Sequence, residues 1–207
     1  MNEKLYKICV SAIKPFIKFF FPYEVSGTEN IKKLSGGYVV CSNHLSNVDP
    51  IYLALTHPAP IQFMAKQELF KSKIFSKFLR AVGVFPVKRG KGDKEALNYA
   101  LEIPKSGGVL GIFVEGTRSK TGEFLRPRSG ATLIASQSGS AVLPVCITGG
   151  GENNRVKLFK KTKICYGEAI NSADLTIETR QDLKKSTNLI MDNIKKLRED
   201  KIENISC

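Results

Sequence analysis

Short apolar runs rich in β-branched and aromatic residues alternate along the chain with segments of helical periodicity. The β-rich runs span residues 38–42, 61–65, 84–87, 108–114, 141–148 and 162–167. The helical patterns lie near residues 50–56, 69–82, 93–103 and 130–138, and again in the tail after Leu183. Such alternation predicts an α/β fold with a mixed, mainly parallel sheet and flanking helices. Pro86 and Pro144 favour short or edge strands for the runs that contain them.

The 207 residues suffice for one substantial core, and nothing in the sequence marks an interdomain linker. We expect an amphipathic helical segment over residues 1–22 and a single α/β domain over residues 23–207. The apolar runs of the first 22 residues are short and are interrupted by lysines, so we expect neither a signal peptide nor a membrane span there.

The N-terminal segment has the pattern of a helix that lies on a membrane. Four lysines and a serine follow one another at intervals of three and four residues and form a polar stripe on a helix. Bulky apolar residues occupy the other side and end in the run Phe19 to Phe21, which is costly to expose. We expect this segment to associate with an anionic membrane surface. The alternative is a helix packed on its own domain. Pro15 should kink or split the helix.

A second stretch, residues 69–85, is both basic and apolar. Phe70, Ile74 and Phe78 recur at helical spacing, and two lysines and an arginine lie beside them. This stretch predicts either a second membrane contact or a core-facing helix with a solvated basic face.

The formal net charge of +13, from 32 Lys and Arg against 19 Asp and Glu, predicts a polyanionic partner. No nucleic-acid motif is recognisable, so we expect no nucleic-acid partner. The five cysteines are scattered and only two histidines are present, so we expect reduced thiols and no metal site. Cys41 and Cys146 lie in apolar runs and are expected to be core residues. There is no P-loop and no G-x-S-x-G motif.

The segment "SNHLSNVDP" follows the first of the β-rich runs and places His44 and Asp49 five residues apart. A carboxylate that reaches one imidazole nitrogen would leave the other nitrogen to act as a general base near neutral pH. Asp49 precedes Pro50, however, and has the form of a helix N-cap, which would explain it without catalysis. His57, the other histidine, is expected to be a loop residue without a role.

Two further motifs end in an arginine beside a glycine: "KRG" contains Arg89, and "EGTRS" contains Arg118. An arginine fork and a glycine backbone both suit phosphate oxygens, although a lone arginine after a strand can equally be a solvated charge. In open α/β sheets ligands bind outside the carboxyl ends of the strands. We therefore expect His44, Arg89 and Arg118 to line one crevice, suited to activating a hydroxyl on a phosphorylated substrate.

Taken together, "NHLSNVD", "FPVKRG", "FVEGTRS" and "AVLPVCITGG" resemble, in order, the four motifs of the 1-acyl-sn-glycerol-3-phosphate acyltransferase family. The resemblance spans residues 43–150. It implies transfer of an acyl group from a thioester to the sn-2 hydroxyl of lysophosphatidate, without a metal or other cofactor. It assigns His44 as the general base and Asp49 as its orienting partner. The residues implied in acceptor binding are Lys66, Arg89, Glu115, Gly116, Thr117 and Arg118.

The resemblance also implies an acyl carrier protein or coenzyme A thioester as the donor, and a peripheral or monotopic location at the cytoplasmic face of the cell membrane. Within this class the acceptor could instead be glycerol-3-phosphate or another lysolipid. From a different class, the chain could be a non-catalytic protein that binds anionic membranes.

Overall fold

A computed structural model describes residues 1–88 and 93–203, with side chains described as far as residue 199. The described residues form one seven-stranded sheet of order β1-β7-β6-β2-β5-β3-β4. The strands are β1 (Tyr23–Ser26), β2 (Tyr38–Ser42), β3 (Ile61–Lys66), β4 (Val84–Val87), β5 (Val109–Phe113), β6 (Val142–Thr148) and β7 (Thr162–Tyr166). Strands β2 to β6 are mutually parallel, whereas β7 is antiparallel to β6, and β1 is parallel to β7. The prediction of a mixed, mainly parallel sheet is confirmed.

Helices connect the strands and cover the sheet. They are α1 (Glu3–Phe20), α2 (Thr28–Lys32), α3 (Asp49–Thr56), α4 (Lys73–Ala81), α5 (Lys94–Lys105), α6 (Gly130–Ser138) and α7 (Arg180–Glu203). The predicted elements agree with these bounds to within a few residues, except that residues 69–82 divide into a short 3₁₀ turn, Gln67–Phe70, and α4. Strand β1 and helix α2 were not predicted.

The direction of each crossover decides which face of the sheet its helix covers. The connections through α3 and α4 both step toward the β4 edge, whereas those through α5 and α6 step back. Because parallel crossovers are right-handed, α3 and α4 lie on one face and α5 and α6 on the other. The two apolar cores agree. One contains Ile17 of α1 and Leu53 of α3, and the other contains buried side chains of α5, α6 and α7.

The two strand prolines have different positions. Pro86 lies in β4 at the edge of the sheet, as predicted. Pro144 lies in β6, an interior strand of seven residues, so the prediction of a short or edge strand is wrong there. The antiparallel ladder between β6 and β7 pairs only Val145 to Thr148, and Pro144 lies one residue before it. Its missing N–H is therefore tolerated, while its carbonyl accepts a hydrogen bond from the Gly167 amide at 2.8 Å.

Helix α1 continues through Pro15, which does not split it. The Asn2 side chain caps its start by accepting a hydrogen bond from the Leu5 amide. Proline removes the hydrogen bond to the carbonyl four residues earlier, and that residue, Ser11, is exposed, so water can replace the lost donor. No helix in the described part of the chain is both long and apolar enough to cross a bilayer.

Candidate active site

The loop after β2 is fixed at its start by a buried asparagine. The Asn43 side chain donates a hydrogen bond to the Ile147 carbonyl and accepts one from the Ile147 amide, both at 2.8 Å. These two bonds reproduce a backbone pairing with β6 just where β2 has ended. The residue that follows, His44, therefore leaves the sheet from a defined position at the carboxyl ends of the parallel strands.

The His44 imidazole and the Asp49 carboxylate are in direct contact. The His44 Nδ1 atom lies 2.7 Å from the Asp49 Oδ2 atom, and the same oxygen accepts hydrogen bonds from the amides of Leu45 and Ser46 at 2.6 and 2.7 Å. Asp49 is fully buried. Its carboxylate points back into the loop and does not cap α3, whose N-cap is Val48. The N-cap interpretation of Asp49 is therefore wrong, and the loop bends enough to bring the two side chains together.

An aromatic stack holds the imidazole from the side. The His44 ring lies 4.0 Å from the Phe113 ring at an interplanar angle of 15°, and Phe113 in turn stacks on Phe63. The His44 side chain is 14% exposed, and its Nε2 atom makes no hydrogen bond to any residue that the structure describes. Oriented through Nδ1 and partly open to solvent, the imidazole can exchange a proton at Nε2.

The turn after β5 is tied to the histidine loop. The Ser119 amide donates a hydrogen bond of 2.8 Å to the His44 carbonyl, and the Ser119 hydroxyl accepts one from the Gly122 amide. Gly116 has a φ of 69°, in the left-handed region that favours glycine. A Cβ there would also lie 2.7 Å from the Arg128 side chain. The "EGTRS" turn therefore needs glycine at this position and lies directly beside His44.

Within this turn the side chains have opposite environments. Thr117 and Arg118 are exposed, whereas Glu115 is 2% exposed. Burial raises the pKa of Glu115 to about 7. The amides of Leu125 and His44 and the Arg198 charge oppose that rise in part. Neither Glu115 carboxyl oxygen makes a well-formed hydrogen bond to a described residue. Near neutral pH this carboxyl is therefore divided between its two protonation states.

Helix α7 contacts the segment that follows the "EGTRS" turn. The Arg198 guanidinium lies 3.7 Å from the centre of the Phe124 ring and donates a hydrogen bond of 3.2 Å to the Gly122 carbonyl. It joins α7 to the segment that follows Arg118, and its charge acts on the buried Glu115 carboxyl.

One of the predicted phosphate ligands lies on another strand. Lys66 is the last residue of β3 and is exposed at the same carboxyl-terminal edge of the sheet. Arg89 lies outside the described residues. The structure therefore brings His44, Asp49 and the turn of Glu115 to Arg118 together, and places Lys66 two strands away from His44 along the sheet.

Other sequence expectations have clear outcomes. Cys41 and Cys146 are free and buried, as predicted. His57 is not a plain loop residue: its ring is buried and bonds to the Tyr38 hydroxyl and the Ala59 carbonyl. No group of three or more His, Cys, Asp or Glu side chains in the described ranges could hold a metal ion.

Sequence reasoning did not identify the contacts of Asn43, Phe113, Ser119 and Arg198. The first three lie inside or next to the quoted motifs, and so position alone could have suggested them. Arg198 has no such signal, because it lies 76 residues from its partner Gly122.

The chain is similar in sequence to known proteins. A family model described as Acyltransferase matches residues 22–148. The 1-acyl-sn-glycerol-3-phosphate acyltransferase of Bacillus subtilis is 30% identical over 203 residues, which cover 97% of this chain and 100% of that protein. The protein of the same name from Streptococcus pneumoniae is 27% identical, over 84% of this chain and 65% of its own length.

A solved structure is also similar. The crystal structure of the 1-acyl-sn-glycerophosphate (LPA) acyltransferase PlsC from Thermotoga maritima superimposes with a TM-score of 0.71 at 26% identity, covering 95% of this chain and 82% of that one. The matched segment contains His44, Asp49 and the whole "EGTRS" turn. On sequence and fold together, the chain belongs to the acyltransferase family.

Proposed function

We propose that this chain transfers an acyl group from an acyl thioester to the sn-2 hydroxyl of lysophosphatidate and so forms phosphatidate. The observation that supports this most directly is the contact between His44 and a fully buried Asp49 beside an exposed arginine turn. The names of the relatives from Bacillus subtilis and Streptococcus pneumoniae, and of the Thermotoga maritima structure, support the same substrate.

His44 acts as the general base in this proposal. Its Nε2 atom takes the proton of the acceptor hydroxyl as that oxygen forms a bond to the thioester carbonyl carbon. The Asp49 carboxylate keeps the Nδ1 proton in place and stabilises the imidazolium that results. When the carbon–sulfur bond breaks, His44 returns the proton to the departing thiolate. The reaction needs no metal and no covalent acyl-enzyme.

The acceptor phosphate is bound by cationic side chains at the carboxyl edge of the sheet. Arg118 is exposed two residues after Gly116, and its guanidinium can pair with two phosphate oxygens. We assign Lys66 and Arg89 as further phosphate ligands. Glu115, Gly116 and Thr117 shape the acceptor site. Binding the phosphate at a fixed distance from His44 removes part of the entropic barrier to the reaction.

The donor is an acyl carrier protein or coenzyme A thioester. Acyl carrier protein is acidic and coenzyme A has phosphate groups, so both suit the net charge of +13.

The enzyme works at the cytoplasmic face of the cell membrane, as a peripheral or monotopic protein bound through α1. Ile8, Phe16 and Phe19 of this helix are exposed, and the lysine stripe of the same helix is solvated. An exposed helix with bulky apolar and cationic side chains suits the interface of an anionic bilayer.

The test is to incubate the pure protein with lysophosphatidate and each thioester in turn, and to identify the product by mass spectrometry. Glycerol-3-phosphate, other lysolipids and an acceptor without phosphate are the comparison substrates. We expect phosphatidate as the main product, and no product from the acceptor without phosphate.

The matched variants for this experiment are His44→Ala and Asn47→Ala. Asn47 is exposed in the same loop, so its replacement should leave turnover unchanged, whereas His44→Ala should abolish turnover and leave lysophosphatidate binding largely intact. Activity retained in His44→Ala would reject the assignment of the base.

A further inference from the structure

Helix α4 contributes no buried residue to the fold, although it connects two neighbouring strands. A crossover helix normally packs its apolar side against the sheet. Here Ile74 is 86% exposed, and Phe75 and Phe78 are 46% and 43% exposed. The alternative of a core-facing helix is therefore wrong. Three bulky apolar side chains on a nine-residue helix are instead directed away from the core, which calls for a partner.

Cationic side chains surround this apolar edge. Lys71, Lys73, Lys77 and Arg80 are all exposed, and the Arg80 guanidinium lies 5.4 Å from the centre of the Phe70 ring. No acidic residue lies within α4. A helix with this composition complements a surface that is both apolar and negatively charged.

The start of helix α1 contacts the end of helix α4, on the same face of the sheet. The Asn2 amide, at the start of α1, donates a hydrogen bond of 2.9 Å to the Ala81 carbonyl at the end of α4. At the other end of α1 the Phe159 amide bonds to the Phe20 carbonyl, and the exposed Phe159 ring packs on Phe19 at 5.9 Å. Exposed apolar side chains therefore adjoin both ends of α1.

We propose that α4 is a second membrane contact, which inserts Ile74, Phe75 and Phe78 into the interface of an anionic bilayer while its lysines meet the lipid phosphates. This inference rests on the proposed function, since it names the surface from which the lipid acceptor reaches the site. Two helices that contact the bilayer at different points fix the orientation of the protein, which one helix alone leaves free to rotate.

The orientation follows from the aromatic stack beside His44. Phe63 and Phe113 belong to the same apolar core as Ile17 of α1 and Leu53 of α3. The imidazole therefore lies on the half of the sheet that α1 and α4 cover. With both helices on the bilayer, a lysolipid can bring its hydroxyl to His44 without leaving the interface completely.

An acidic protein such as acyl carrier protein is the rival occupant. Cationic side chains alone would be enough to bind an acidic protein. Such a partner does not explain why bulky apolar side chains are exposed on the same helix. The bilayer accounts for both the apolar and the cationic residues of α4, and for their position beside α1.

Because the chain contains no tryptophan, a single introduced one can report on α4 directly. Phe78→Trp in the full chain should show a blue-shifted emission, and quenching by brominated lipids, on addition of phosphatidylglycerol vesicles. The matched control is Leu189→Trp on α7, on the opposite face, which should show neither effect. An unshifted, unquenched Phe78→Trp under conditions in which the protein binds the vesicles would overturn the proposal.

A second experiment measures binding strength and separates the two occupants. The double variant Ile74→Ser, Phe78→Ser should weaken partition into phosphatidylglycerol vesicles about tenfold. Lys73→Gln should weaken it about fivefold, with no effect on neutral phosphatidylcholine vesicles. Unchanged partition of the double variant would overturn the proposal. So would a loss confined to turnover with an acyl carrier protein thioester, which would assign α4 to the donor.

The proposed reaction is tested separately with a short-chain, monomeric lysophosphatidate. The double variant should acylate this soluble acceptor at the wild-type rate and lose activity only on vesicle-embedded acceptor. If wild-type protein forms no phosphatidate from either acceptor, the proposed function fails, while the vesicle measurements still decide the role of α4.

Discussion

The Oδ2 atom of Asp49 lies 2.7 Å from the Nδ1 atom of His44 and accepts, at the same time, two backbone hydrogen bonds from the intervening loop. The loop thus holds the carboxylate, and the carboxylate holds the imidazole. Since Asp49 is fully buried, its orientation does not depend on solvent. His44 and Asp49 can be five residues apart and still in contact because the chain between them folds back on the carboxylate.

Asp49→Asn is expected to lower kcat by about 10²- to 10⁴-fold while the fold is retained. The asparagine oxygen can replace Oδ2 and still accept from the two amides and from Nδ1, but a neutral amide no longer stabilises the imidazolium that forms when Nε2 takes the proton. Its NH₂ group would replace Oδ1, which is buried and has no hydrogen-bond partner among the described residues. Steady-state kinetics and a thermal melt of the same sample check this. A kcat within a few-fold of wild type would contradict the role of the Asp49 carboxylate.

Arg118→Ala is expected to raise the KM for the phosphorylated acceptor by about 10- to 100-fold, with a smaller effect on kcat, because a charge-assisted hydrogen bond is lost. The KM of Arg118→Lys should fall between those of wild type and Arg118→Ala, since an ammonium group keeps the charge but not the planar fork of the guanidinium. Arg126→Ala is the matched control, an exposed arginine eight residues further along. Equal effects of the two alanine variants would show a general loss of charge.

Glu115→Gln is expected to stabilise the protein at neutral pH relative to wild type. Burial raises the pKa of Glu115 from 4.5 to about 7, so the folded state prefers the protonated carboxyl. The stability of wild type relative to Glu115→Gln is therefore greatest below pH 4.5 and falls as the pH rises toward 7. Urea unfolding of both proteins between pH 4.5 and 8 measures this. A difference that does not vary with pH would contradict the assignment.

His57 is expected to destabilise the fold in mild acid. Burial lowers the pKa of His57 below 6.5, so the folded state prefers the neutral ring that bonds to Tyr38. The stability that this preference contributes is present above pH 6.5 and is lost as the pH falls toward the lowered pKa. The melting temperatures of wild type and His57→Gln should therefore approach each other as the pH falls. Parallel melting curves across this range would show that the imidazole does not titrate on unfolding.

The sequence predicted the sheet well wherever a strand is a continuous apolar run. Strands β2 and β4 have the predicted bounds because both are short runs of buried or half-buried side chains that stop at polar residues. Strand β1 was missed because the alternation of Tyr23 and Val25 with Glu24 and Ser26 extends over only four residues, all of them half-buried. The amphipathic pattern of α4 was visible, but periodicity does not reveal what an apolar side contacts.

The site was predicted in part for a similar reason. His44 and Asp49 are close in sequence, so their pairing could be proposed from one motif. The contact of Asn43 with Ile147 spans 104 residues, and that of Arg198 with Gly122 spans 76, so both depend on the tertiary fold. The N-cap interpretation of Asp49 failed because local propensity cannot show that a side chain turns back into its own loop.

The hydrogen bond from the Ser119 amide to the His44 carbonyl joins the peptide of the base to the residue next to Arg118. In the proposed function Arg118 binds the acceptor phosphate, so a single peptide would separate the phosphate ligand from the residue that bonds to the base. An acceptor without the phosphate would lose this connection to His44, and the proposed enzyme would then discriminate between acceptors through the alignment of its base as well as through affinity.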